Sequence, residues 1–494
     1  MTVQAIRLEN FMAFADTNWI ELRPIVLLFG RNSSGKSAIF RALRLLRQSL
    51  DIPANDRHLV FVTEHGVDLG SIQETIHKQE LERELAFSFR CDLTDALDVL
   101  KTVGLWQGEP IKETFAELRL GFRWDDARQW VALSSFQIDL PWVKAAQEEG
   151  PTLFFAEEWS LDQQAERGER WYFSSDLLHG HESQPDSVWP AIYVEMRSGF
   201  MPQLSVVASQ PHSPALQDVA AVQAVLDEVC HQVAIFLQQI EYLGPIRPEP
   251  ERVFNLDVVT QQKWRQKGLG SYLDFLLDRS ADAEIFQRLD EWLQILKLAD
   301  RVDPEKVVYR HPHLKLSNVK FRELPGEEPP AINLLDVGYG ASQVLPVLIH
   351  SLLARQGSLV VIEQPELHLH PGAQAQLGDL FVETVNPPDF ESTNTVRFFL
   401  ETHSEHLLLR LRRWVAETAA NKGDLVSKKS WRLKPDQLAV YFVDRDPQKG
   451  ESEVHPIQVK RSGEFGEKPV GFKDFFADDL KEAIALTLAG AEVD

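Results

Sequence analysis

Residues 25–50 read "IVLLFGRNSSGKSAIFRALRLLRQSL". An unbroken apolar run meets Gly30, four residues pass, Gly35-Lys36-Ser37 follow, and apolar residues then recur at helical spacing. Strand, glycine loop and helix in that order form the context of a phosphate-binding loop. Glycines let backbone N–H groups close around phosphate oxygens, and the helix N-terminus adds its positive end. Lys36 reaches the terminal phosphates and the Ser37 hydroxyl ligates magnesium. Gly30, Asn32, Ser33, Ser34, Gly35, Lys36, Ser37 and Ala38 are therefore the expected nucleotide-binding set.

Upstream, "VQAIRLENFMAFADTNWIEL" (residues 3–22) alternates apolar and polar residues around a turn-like "ADTN" and predicts a hairpin. Phe11 and Phe14 are read as its core in preference to an adenine shelf. From about 81 to 240 the character changes. Short strand-like pieces such as "ELAFSFRC" and "AELRLGFRW" alternate with polar, Trp-rich stretches; residues 160–190 read as a charged loop, and residues 215–240 have helical periodicity. "YLGPIRPEPERVF" (242–254) is proline-rich and reads as a turn or linker. Helices and strands then alternate to "LAVYFVDRD" (438–446), which predicts a largely parallel sheet. The sequence shows no internal repeat and no sustained heptads.

The chain has 494 residues, enough for two or three domains. Its two cysteines, Cys91 and Cys230, exclude a disulfide framework and fit a reducing compartment. No apolar run approaches membrane-spanning length and the N-terminus lacks a signal pattern, so a cytoplasmic protein without membrane contact is expected. A net charge of −23 argues against nucleic acid wrapped over the whole surface. Local basic patches remain possible partners for nucleic acid, at Arg41, Arg44 and Arg47, and between Arg410 and Lys434. The plainer reading of both is a solvated helix face.

"VVIEQPELHLHP" (360–371) is a buried-strand run ending in acid, amide, proline and acid. With "DVGYGASQVLP" (336–346), "FFLETHSEHLL" (398–408), the phosphate-binding loop and "IRLENFMAF", it resembles the ABC-type ATPase heads of the SMC and RecF class. More narrowly it resembles the prokaryotic AAA-type ATPases related to the OLD family, and is expected to lack a Toprim nuclease domain. The resemblance covers roughly residues 1–80 and 240–450. It implies an α/β fold: a P-loop NTPase head of ABC type, with a mixed sheet, flanking helices and an inserted α+β region. The expected divisions are 1–80 for the N-terminal part of the head, 81–240 for the insertion, 241–330 for a linker with helices and strands returning to the head, 331–446 for its C-terminal part, and 447–494 for a small C-terminal element.

The resemblance also implies roles. Gly338, Gly340 and Ser342 fall on the signature loop, which touches the γ-phosphate of a nucleotide held by a second subunit. Glu363 falls on the Walker B position for magnesium, and Gln364 on that of the catalytic base, where an amide cannot take a proton from water. Glu366 and His403 are then the candidates for polarising water, beside Lys36, and Gln73 is a candidate sensor of magnesium. His368 and His370 read as a strand-to-helix connection rather than metal ligands. The expected function is a slow ATPase with ATP and Mg²⁺, working as a homodimeric nucleotide-driven switch in DNA transactions or anti-phage defence with an effector or sensor partner. The alternatives are a nucleotide-binding scaffold without turnover and a metal-dependent nuclease using Asp444 and Asp446, a pair that otherwise reads as a strand-end turn.

Overall fold

The computed structural model describes residues 3–50, 58–64, 66–94, 114–126, 129–139, 152–157, 171–175, 191–207, 214–247, 251–255, 257–266, 269–277, 283–307, 316–322, 331–386, 396–420, 431–446, 448–467 and 472. Its strands, in chain order, are β1 (Val3–Phe11), β2 (Phe14–Asp16), β3 (Ile20–Glu21), β4 (Ile25–Gly30), β5 (Leu85–Asp92), β6 (Phe115–Asp125), β7 (Trp130–Asp139), β8 (Thr152–Glu157), β9 (Trp171–Ser175), β10 (Ala191–Ser198), β11 (Met201–Val207), β12 (Ile240–Leu243), β13 (Phe254–Asn255), β14 (Arg301–Val307), β15 (Leu316–Arg322), β16 (Ala331–Asn333), β17 (Leu359–Glu363), β18 (Arg397–Glu401), β19 (Leu438–Arg445) and β20 (Ser452–Ile457). Its α-helices are α1 (Lys36–Leu50), α2 (Ile72–Thr75), α3 (Pro214–Gln238), α4 (Val258–Gln266), α5 (Gly270–Leu277), α6 (Ala283–Ile295), α7 (Tyr339–Leu352), α8 (Pro371–Val385) and α9 (Glu405–Ala419).

Two compact units emerge, one from residues 1–22 and 38–239, the other from 23–37 and 240–494. In the first, β2-β1-β5-β6-β7-β8-β9 form an antiparallel sheet with β3 also paired to β1. The alternating burial of β6 is the signature of a sheet with one face in a core. Phe11 and Phe14 are fully buried, in agreement with the hairpin-core reading. The tight turn of that hairpin falls at Met12 and Ala13, with Met12 at φ 49°, and not at "ADTN", whose Ala15 and Asp16 extend β2. Because β1 pairs along β5, one sheet runs across the division expected at residue 80. β9 lies within the stretch read as a charged loop.

In the second unit the six-stranded sheet runs β12-β17-β18-β4-β19-β20. It is parallel from β12 to β19, and β20 closes the edge antiparallel. The central strands β4, β17 and β18 are buried at every position, which is why they read as unbroken apolar runs. α7, α8 and α9 pack into the same core, which also takes Trp292 stacked on Trp431 and Phe381 against Phe398. A smaller sheet, β13-β15-β14 with β16, belongs to this unit. β12 is a correction to the linker reading of 242–254: Tyr242 and Leu243 complete the parallel sheet, paired with Val361 and Ile362. Among the described residues no helix is long and apolar enough to cross a membrane.

Candidate functional site

The loop after β4 owes its shape to the sheet. Gly30 is in register with Val443 on β19, and a Cβ there would run into the Val443 carbonyl oxygen. Only glycine fits, at φ 152°; Ser33 (φ 61°) and Gly35 (φ 96°) complete the turn into α1. Arg31, Asn32 and Ser33 are exposed, Gly35 is half-buried, and Ala38 is buried in the first turn of the helix. The Ser34 hydroxyl is buried and has no hydrogen-bond partner among the described residues. The Lys36 ammonium, 3% exposed, folds back to donate to the carbonyls of Gly30 and Arg31, each at 2.8 Å. Burial lowers its pKa, opposed by Glu401 and then by Glu363.

Beneath the loop, β17 and β18 run parallel and in register from Leu359↔Arg397 to Glu363↔Glu401, so both strands end in a glutamate at the same level. Ser37 Oγ donates to Glu401 Oε2 at 2.9 Å, and Lys36 Nζ is 3.8 Å from Glu401 Oε1. The Tyr242 hydroxyl donates to Glu363 Oε1 at 2.6 Å. Buried Arg247 donates through Nη2 to the carbonyls of Glu363 (3.1 Å) and Gln364 (2.7 Å), while its Nε and Nη1 have no partner. Burial brings this guanidinium down to about 10, with Glu366 opposing the change. Gln364 turns the chain at φ 49° and its N–H donates to the Glu401 carbonyl at 2.7 Å.

Glu366 and His403 meet, but through the backbone. Glu366 Oε1 accepts from the His403 N–H at 2.8 Å, and Oε2 is buried without a partner. Burial raises the Glu366 pKa against the pull of those backbone donors, the Thr402 hydroxyl and Arg247. Burial, then Lys36, lowers that of the half-buried His403. Glu401 is also raised, first by burial and then by Glu363, with Lys36 and Ser37 pulling the other way.

The glycine-rich turn at 336–342 opens α7. Gly338 is its exposed N-cap, and Tyr339 is 54% exposed with its ring edge-on to His368 at 4.8 Å. A Cβ on Gly340 would come within 2.8 Å of the His368 carbonyl oxygen, so glycine lets the helix start against the turn that follows Gln364. Ser342 is only 3% exposed and its hydroxyl donates to the Tyr339 carbonyl at 2.8 Å; the surface of this turn is made by Asp336, Gly338 and Tyr339. His370 caps α8 by accepting from the Gly372 N–H. Gln73 is exposed on α2 in the other unit, between the partners of the Ser71–Glu74 capping box.

Two alternatives find ordinary structural explanations. Asp446 closes the β19–β20 turn, accepting from the N–H groups of Gln448 and Lys449, and Asp444 accepts from Arg445 N. In the basic stretch, Arg410 grips Asp379, Arg412 donates to the Gly463 carbonyl and lies over Phe465, and Arg413 pairs with Glu417. Lys422, Lys428 and Lys429 lie outside the described residues.

Sequence reasoning missed Glu401, Tyr242 and Arg247. The signal for Glu401 was in plain view, since "RFFLE" ends in an acid as "LVVIE" does. Tyr242 and Arg247 were hidden in the proline-rich stretch taken for a linker.

Residues 5–50 match the family model described as "AAA domain", and residues 262–410 the one described as "AAA domain, putative AbiEii toxin, Type IV TA system". No curated protein sequence matches the chain. Among solved structures, the chain is similar to an SMC head bound to the C-terminal winged-helix domain of ScpA (9% identity, TM-score 0.40, covering 94% of this chain and 99% of that one). It is also similar to the SMC head domain from Thermotoga maritima (10%, 0.34, 93% and 100%). A third is an SMC head with an extended coiled coil, bound to the C-terminal domain of ScpA derived from Pyrococcus furiosus (9%, 0.36, 92% and 96%). The two AAA matches contain the phosphate-binding loop and the "VVIEQPE" strand, and in this chain both feed one sheet with β18 between them. Two separated segments of the chain thus match AAA-domain models, and the fold brings them together in one sheet that holds the phosphate-binding loop beside two strands ending in glutamate.

Proposed function

We propose that this head binds ATP with magnesium, hydrolyses it slowly to ADP and phosphate, and works as a nucleotide-driven switch between two copies of the chain in the cytoplasm. The observation that carries the reading is the meeting of the phosphate-binding loop with the acidic strand ends: Ser37 Oγ on Glu401 at 2.9 Å, with Lys36 beside it. The donor set fits a triphosphate. Gly30, Ser33 and Gly35 give the loop left-handed turns, α1 offers its N-terminus, and the buried Ser34 hydroxyl lacks a partner. A triphosphate would draw Lys36 from the Gly30 and Arg31 carbonyls. Ser37 and Glu363 would hold magnesium, which neutralises charge on the phosphates.

Gln364 accounts for slow turnover. An amide orients water but takes no proton from it. Glu366 has one oxygen committed to the His403 backbone, so its part in activating water is indirect, while His403 stays neutral and suited to accept a hydrogen bond. Gly338 and Tyr339 offer the exposed start of α7 to the nucleotide of the second copy, with Gly340 and Ser342 supporting that turn from within. A role in DNA transactions or anti-phage defence with a protein effector extends this reading. Support comes from the SMC and RecF resemblance and from the toxin–antitoxin wording of the family description.

The test is phosphate release, with binding of a fluorescent ATP analogue followed in parallel. The wild type should release phosphate slowly, and Lys36→Ala should lose roughly 100-fold in kcat/KM. Tight nucleotide binding with no release by the wild type would favour the scaffold reading.

A further inference from the structure

We infer that Glu401, from the strand between the phosphate-binding loop and the Glu363 strand, is a third magnesium ligand of this site beside Ser37 and Glu363. This deepens the ATPase reading and rests on it. Three observations converge on the residue. First, the register of β17 and β18 puts Glu363 and Glu401 side by side at the ends of parallel strands, and both are at least nine-tenths buried. Two carboxylates so placed repel each other, and a cation beside them relieves the repulsion.

Second, the hydroxyl that the motif assigns to magnesium donates its hydrogen to Glu401 Oε2, not to Glu363. A serine oxygen so oriented keeps its lone pairs for a cation while the carboxylate stays within reach of the same ion. The Tyr242 hydroxyl donates to Glu363 Oε1 and so fixes the plane of that carboxylate.

Third, Glu366 is 8% exposed, and its Oε2 has no partner while its charge bears on Glu401. The Lys36 ammonium, 3.8 Å from Glu401, is the countercharge that nucleotide binding would remove toward the phosphates. Magnesium would then replace it. Among the described residues no group of three or more His, Cys, Asp or Glu side chains forms a metal cage. Magnesium needs none, since it takes one or two carboxylates and completes its shell with substrate phosphates and water.

The experiment measures Mn²⁺ binding by electron paramagnetic resonance in the presence of ATPγS, for the full chain and for Glu401→Gln. The amide oxygen can still accept from Ser37, so the variant removes the charge and spares the hydrogen bond. The expected result is Mn²⁺ affinity weakened about 10-fold or more, with binding of a fluorescent ATP analogue in EDTA unchanged. Glu401→Asp, which draws the carboxylate back by one methylene, should fall between the two, and it serves if the glutamine variant does not fold. Unchanged Mn²⁺ affinity in folded Glu401→Gln, with Glu363→Gln weakened, would overturn the proposal while leaving the ATPase reading intact. Unchanged affinity with lost hydrolysis would overturn it too, by moving Glu401 to the attacking water. A wild type that binds no nucleotide even in magnesium removes the ATPase reading, and this assignment with it.

Discussion

Gln364 sets the pace of the site in this account. Its backbone is fixed from both sides, by the Glu401 carbonyl and by Arg247, so a side-chain substitution leaves the turn in place. Gln364→Glu should therefore raise kcat roughly 10-fold, toward the low end of the ~10² to 10⁴ that a positioned base supplies. Phosphate release under saturating ATP measures it, and an unchanged rate would mean that a step other than water activation limits turnover. Glu366 gives a pH test. Its carboxyl binds a proton more tightly folded than unfolded, because burial penalises the charge. The folded state thus carries a cost above the folded pKa, and stability declines as pH rises through it. Glu366→Gln keeps an acceptor for the His403 N–H and cannot ionise. Its melting temperature should exceed that of the wild type at about pH 8, and the gap should shrink toward about pH 5. A gap that widens in acid would contradict the assignment.

The strands and helices of the second unit explain what was legible in the sequence. β4, β17 and β18 are buried on both faces, so their composition alone announced them, and the phosphate-binding loop was visible because its glycines, lysine and serine stand at fixed spacing between an apolar run and a helical pattern. β12 was not legible: four residues beside a proline-rich stretch have too little pattern, and only pairing with β17 makes them a strand. Glu401 escaped for a related reason, since its meaning lies in the register between strands 38 residues apart in the chain. The arginines of α9 read as a basic face because charge is local information and partners are not. Asp379 on α8 receives two 2.7 Å bonds from Arg410 and one of 2.6 Å from the Trp414 indole, tying α8 to α9. Asp379→Ala leaves those donors without an acceptor and should cost about 3 kcal/mol in urea unfolding. A loss below about 0.5 kcal/mol would mean that the link is ornamental.

For the whole chain, the boundary between the two units falls after Ser37, in the first turn of α1. The second unit collects residues 23–37 and 240–494, so segments far apart in the chain must meet before the site exists. The turn at Gly338 and Tyr339 belongs to the same unit and is exposed, in line with the proposed contact to a second copy. Sedimentation velocity of the full chain with ATPγS and magnesium tests the switch most directly. The account predicts a shift from monomer to dimer on nucleotide addition, absent in Lys36→Ala. A wild-type chain whose mass stays the same with and without nucleotide, or a Lys36→Ala chain that dimerises as the wild type does, would contradict it.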